Sequence, residues 1–121
     1  MRLILGIVAG IVGWFAVVTV VSFGLRALAP DFAAALNAHS TFATQVVRLA
    51  ISFAGSLFGG WLAAATARGT LAALIAGVLL LLAWGTYHLT MIWNQFPVWY
   101  HLTFLVSLPL LAVAGARLRR A

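Results

Sequence analysis

Four long apolar runs divide the chain, and single arginines bound most of them. The first runs from Leu3 to Leu25 between Arg2 and Arg26, and the second from Leu49 to Ala67 between Arg48 and Arg68. The third covers Leu71 to Thr90, and the fourth runs from Val98 to Ala116, just before Arg117, Arg119 and Arg120. No run contains a charged side chain. A helix needs about 20 apolar residues to cross the hydrocarbon core of a bilayer. The pattern therefore predicts one domain over 1–121: an all-α integral membrane bundle of four transmembrane helices, with spans at about 3–25, 49–67, 71–90 and 98–116.

The connections follow from the residues between the runs. The longest, 26–48, opens on Pro30-Asp31, which suits the first turn of a helix, and offers Ser40-Thr41 as a second start signal. A short interfacial helix over Asp31–Ala38 followed by a turn is expected there. Ala67-Arg68-Gly69-Thr70 leaves room only for a tight turn, and 91–96 forms an uncharged loop. Pro97 fits the first turn of the last span. Pro109 lies inside that span and is expected to kink it, because it removes a backbone hydrogen bond. The first run competes with a signal peptide ending at Ala27-Leu28-Ala29. Its apolar core exceeds the 7–15 residues usual in a signal, and Pro30 follows directly, so it is read as a retained span.

Composition removes whole classes of chemistry. The 121 residues are 65% hydrophobic and 7% charged, with a mean hydropathy of +1.16. Soluble domains carry roughly 25% charged residues. There is no cysteine, so there is no disulfide, thiolate zinc site or redox pair. Asp31 is the only acidic residue, which excludes paired-carboxylate catalysis and a carboxylate cage for calcium or magnesium. No catalytic residues and no structural metal site are predicted, and the protein is not expected to be an enzyme. The high pI, about 11.9, does not indicate nucleic acid, because the arginines stand singly between apolar runs and act as topology signals.

With four spans both termini share a side. Arg2, Arg68, Arg117, Arg119 and Arg120 fall there, against Arg26 and Arg48 on the other. By the positive-inside rule the N and C termini are cytoplasmic, and the expected location is the bacterial inner membrane. Tyr87, Trp93, Trp99 and Tyr100 then form an aromatic belt at the outer interface.

Small residues mark where membrane helices touch, since lipid supplies no hydrophobic drive for their association. Gly6, Gly10 and Gly13 line one face of the first span. Gly55 and Gly59 sit with Ser52, Ser56 and Ala63 on the second. Gly77 lies with Ala73, Trp84 and His88 near one face of the third, and His101, Leu105, Leu108, Ala112 and Gly115 share a face of the fourth. These faces pack within the bundle or join copies of it. Trp14, Trp61 and Trp84 lie within the spans and are read as bulky partners for the glycine stripes.

The remaining polar residues gather toward the outer side: Asp31, Asn37, His39, Gln45 and Arg48 from one connection, and Tyr87, His88, Asn94, Gln95, Tyr100 and His101 from the other. Asp31, Arg48, Tyr87 and Tyr100 form the expected outer polar cluster. Arg48 either snorkels to lipid phosphate, pairs with Asp31, or binds an anion. His88 and His101 flank the turn at Asn94-Gln95 at matching distance, which places them at similar depth within about 10 Å. Two outcomes follow. If the rings share a haem or metal, with His39 as a possible third ligand, their nitrogens converge and each second nitrogen finds an acceptor at Asn94, Gln95 or a carbonyl near Pro97. If they are structural, they diverge to separate partners. The structural outcome is expected, with no cofactor.

Small multidrug transporters match this size but depend on a Glu in the first helix, and this chain has none. The segment Gly55-Ser56-Leu57-Phe58-Gly59-Gly60 resembles part of the second helix of fluoride channels. That family's pore Asn and the break in its third helix are missing, so no function carries over. The stretch Phe96-Pro97-Val98-Trp99-Tyr100-His101-Leu102-Thr103-Phe104-Leu105, followed by Gly115-Ala116-Arg117-Leu118, resembles a group of uncharacterised small four-helix inner-membrane proteins of Gram-negative bacteria. That resemblance implies a four-span protein and no activity.

The functional expectation is a non-enzymatic structural or accessory subunit of the inner membrane. Its partners are the lipid bilayer and either further copies of itself (a homo-oligomer) or a larger membrane complex. The alternatives are an oligomeric solute or ion channel, and a haem- or metal-binding subunit using His88 and His101.

Overall fold

A computed structural model describes residues 1–38 and 41–120. The described residues are helical with no strand: α1 (Arg2–Leu28), α2 (Pro30–Ala38), α3 (Phe42–Ala67), α4 (Leu71–Tyr87) and α5 (Val98–Arg120). Four helices are long and apolar enough to cross a membrane: α1, α3, α4 with its extension to Ile92, and α5.

One element start follows a signal the sequence offered, and one connection differs from the expectation. α3 starts at Phe42, well before the apolar run at Leu49. Thr41 caps it: its hydroxyl accepts from the Thr44 amide at 3.3 Å, while the Thr44 hydroxyl accepts from the Thr41 amide at 3.0 Å. This reciprocal capping satisfies two of the amides that a helix start leaves open. Arg48 therefore sits nearly two turns inside a helix. The region expected as an uncharged loop after Thr90 is also largely helical. α4 continues through a π turn, His88–Ile92, and a 3₁₀ turn, Trp93–Gln95, before Phe96 turns extended ahead of Pro97. α5 runs unbroken through Pro109.

The spans alternate in direction. α3 and α5 pack in parallel, as do α1 and α4; α3 also touches α4 across the centre, leaving α1 and α5 at opposite corners. Arg2, Arg68, Arg117 and Arg119 lie at one end. Gly6 sits against Ala67 and Ala72 there, and the Arg119 guanidinium lies 5.7 Å above the Trp61 ring. Arg48, His88 and His101 lie at the other end.

The core has two chemically different parts. Toward the arginine end Ala63, Ala64, Ala72, Ala73, Ala112 and Ala116 form a layer of small side chains. Toward the histidine end Trp14, Leu49, Leu80, Tyr100, Phe104 and Leu108 form a layer of large ones. The closest helix approaches fall at glycines. A Cβ on Gly60 would overlap the Ala112 carbonyl, and one on Gly115 would overlap the Leu57 carbonyl, so α3 and α5 meet backbone to backbone. A Cβ on Gly59 would lie 2.6 Å from the Gly10 carbonyl oxygen, and one on Gly77 2.6 Å from the Pro109 Cα. Gly13 faces Leu62, and Gly55 faces Trp14.

Candidate functional site: a buried histidine pair

The end opposite the arginines holds the densest polar and aromatic grouping. His88 enters it from the π turn that closes α4. Such a turn widens the helix by one residue and shifts the side chains that follow out of α register. His101 comes from the first full turn of α5, after Pro97. Both rings are buried, His101 completely and His88 to within 2%.

Their nitrogens meet directly: His88 Nδ1 and His101 Nδ1 are 2.7 Å apart, with the rings nearly perpendicular at 84°. The second nitrogen of His101 reaches the Trp93 carbonyl oxygen at 3.0 Å. That carbonyl only accepts, so His101 Nε2 carries a proton and donates it. With both rings neutral, His101 Nδ1 is then the acceptor and His88 Nδ1–H the donor. His88 Nε2 is left with the lone pair.

This outcome combines parts of both sequence expectations. The rings converge, yet on each other. Two imidazole nitrogens on one zinc each stand about 2.0–2.1 Å from it, and a separation of 2.7 Å leaves no room for the ion between them. The acceptor for the second nitrogen is the Trp93 carbonyl, four residues before Pro97 and so one of the acceptors expected there, while Asn94 is exposed. His39 lies outside the described residues. Among the described residues no group of three or more His, Cys, Asp or Glu gathers to hold a metal.

Aromatic rings wall the pair in. Trp93 stacks on His101 at 4.5 Å and 11°, and Phe104 stacks on His88 at 4.7 Å and 28°. Tyr100 stands 6.0 Å from His88, and Phe96 stacks on Tyr100 at 4.6 Å. Arg48 crosses from α3 to this wall. Its guanidinium lies 5.5 Å above the Phe96 ring and hydrogen-bonds the Tyr100 side chain. The acceptor there is the phenol oxygen. Tyr87 edges against Trp84 at 5.5 Å and is partly exposed, while Asp31 is exposed at the start of α2. Of the expected outer cluster, Arg48 and Tyr100 are thus joined to each other.

The three tryptophans within the spans part company. Trp14 is buried against Gly55, and its indole N–H donates to the Ser56 hydroxyl at 3.2 Å. Trp84 packs among Trp14, Phe15, Tyr87 and Phe104. Trp61 is 42% exposed, which corrects its reading as a buried partner of the glycines; Arg119 takes its face instead.

Sequence reasoning missed the Nδ1–Nδ1 contact and the Arg48–Phe96–Tyr100 chain. It had one usable signal for the first, the equal spacing of His88 and His101 about one turn. Compared with known proteins, the chain matches no family model, no curated protein and no solved structure.

Proposed function

We propose that this is a multi-pass protein of the bacterial inner membrane, with cytoplasmic N and C termini, acting as a non-enzymatic structural or accessory subunit that self-associates or joins a larger membrane complex. The observation that carries this reading is how the polar side chains of the spans are used. Thr86 and Ser107 donate to their own helices, at the Leu82 and Phe104 carbonyls. Ser56 is taken by Trp14, Thr19 is exposed, and Ser52 alone in this set keeps a buried hydroxyl without a partner. A solute path needs a continuous line of groups to replace hydration, and here Ser56, Thr86 and Ser107 are already engaged locally. The uneven arginines support the orientation. The likeness of the Phe96–Leu105 stretch to small Gram-negative inner-membrane proteins supports the location.

Reporter fusions test the topology. A reporter active only in the periplasm should be silent after Ala121 and active within Asn37–Ser40; the reverse pattern overturns the orientation. Liposomes holding the purified protein should show no solute or ion flux above empty liposomes, and flux would install the channel reading.

The ligand reading keeps one observation in its favour, the lone pair on His88 Nε2. A haem band in the spectrum of the purified protein, lost in His88→Ala, would replace the accessory reading.

A further inference from the structure

Three of the surface grooves among the described residues differ in charge. One, lined by Ile11, Phe15, Leu80, Ala83, Trp84 and Tyr87, has no charged wall. A second runs past Val18, Thr19, Ser22 and Phe23 to Arg26, whose guanidinium already lies over the Phe23 ring at 5.6 Å. The third, of about 340 Å³, lies between α4 and α5, with Leu74, Pro109, Leu110, Val113 and Ala114 along it and Arg117 at its mouth. It starts beside the crossing where Gly77 meets Pro109. From Leu110 to Arg117 it rises about 10 Å along α5.

We infer that this third groove binds an anionic glycerophospholipid, with an acyl chain along Leu74, Leu110 and Val113 and the phosphodiester on Arg117. The inference rests on the reading that the chain lies in a membrane. The floor is apolar and shallow because Val113 and Ala114 are small. Arg117 is exposed at the end of the bundle, where a long side chain places its charge at headgroup level. Among the described residues no ring or acid engages it, whereas Arg26, Arg48 and Arg119 each lie over an aromatic face. Arg2, Arg68 and Arg119 share its end, and the only acidic side chain of the protein, Asp31, belongs to α2 at the far end. The charged side chains described at that end are therefore all cationic, and a phosphodiester monoanion complements them. A guanidinium also offers paired donors to phosphate oxygens.

The test uses the purified full chain in a nonionic detergent, titrated with phosphatidylglycerol or phosphatidylcholine of identical acyl chains and read by native mass spectrometry. Phosphatidylglycerol should bind at least about fivefold more tightly, the factor one surface arginine supplies. Arg117→Gln should remove that preference, and Arg26→Gln should keep it. Ala114→Phe, which fills the floor, should weaken both lipids. Equal binding of the two lipids overturns the proposal. So does an equal loss in Arg117→Gln and Arg26→Gln, or competition by inorganic phosphate alone as strong as by the lipid. The membrane reading fails separately, if alkaline carbonate washes the protein from membranes.

Discussion

The two ends of the bundle hold together by opposite means. Near the arginines, alanines and glycines let α3 and α5 touch through their backbones at Gly60–Ala112 and Gly115–Leu57. Near the histidines, rings fill the space between helices, and hydrogen bonds orient them. Lipid tails are as apolar as the helices, so neither end gains from burying hydrophobic surface. The small-residue end gains close van der Waals contact, which any added atom disrupts. The aromatic end gains directional bonds, which a substitution of equal volume removes while the space stays filled.

The largest expected effect breaks the first of these. Gly60→Ala places a methyl against the Ala112 carbonyl and forces α3 and α5 apart, at a cost of about 3 kcal/mol, the upper part of the overpacking range. Gly24→Ala, where no atom lies within 4 Å of the new Cβ, should leave thermal stability in detergent unchanged. Equal stability of the two variants would mean that α3 and α5 do not meet at Gly60. His101→Phe probes the other end. It keeps a ring in place but strands the His88 donor and the Trp93 carbonyl, and a loss of about 2 kcal/mol in the unfolding free energy is expected. No loss would make the pair incidental to stability. The smallest effect lies where the two regions meet, at the Trp14–Ser56 bond. Trp14→Phe and Ser56→Ala, combined in a double-mutant cycle, should couple by about 0.6 kcal/mol, the average for such bonds in membranes. A coupling near zero would leave Trp14 acting by shape alone.

The small-residue end was the more legible of the two from the chain. Four spans could be read because apolar runs announce themselves, and Gly6, Gly10, Gly55, Gly59 and Gly77 stood out by helical spacing. Gly60 did not stand out, since its partner is a carbonyl on α5 and the parallel pairing of α3 with α5 is a fact of three dimensions. Hydropathy opens the second apolar run at Leu49, while the Ser40-Thr41 signal marks the helix start that the Thr41–Thr44 capping shows at Phe42. At the histidine end, depth followed from spacing, but ring direction depended on the π turn, which no residue pattern announced. Trp14 and Trp61 looked alike in the sequence, and only the rotation of each helix separated a buried ring from an exposed one.

The turn between α3 and α4 has a consequence for how the protein is oriented. Arg68 adopts a left-handed conformation (φ 57°) and ties its amide back to the Ala64 carbonyl, so three residues suffice to reverse the chain. A link that short holds the end of α3 and the start of α4 on the same side of a membrane that both helices cross. A change of charge that reorients α3 should therefore reorient α4 as well, which reporter fusions on either side of the pair would read.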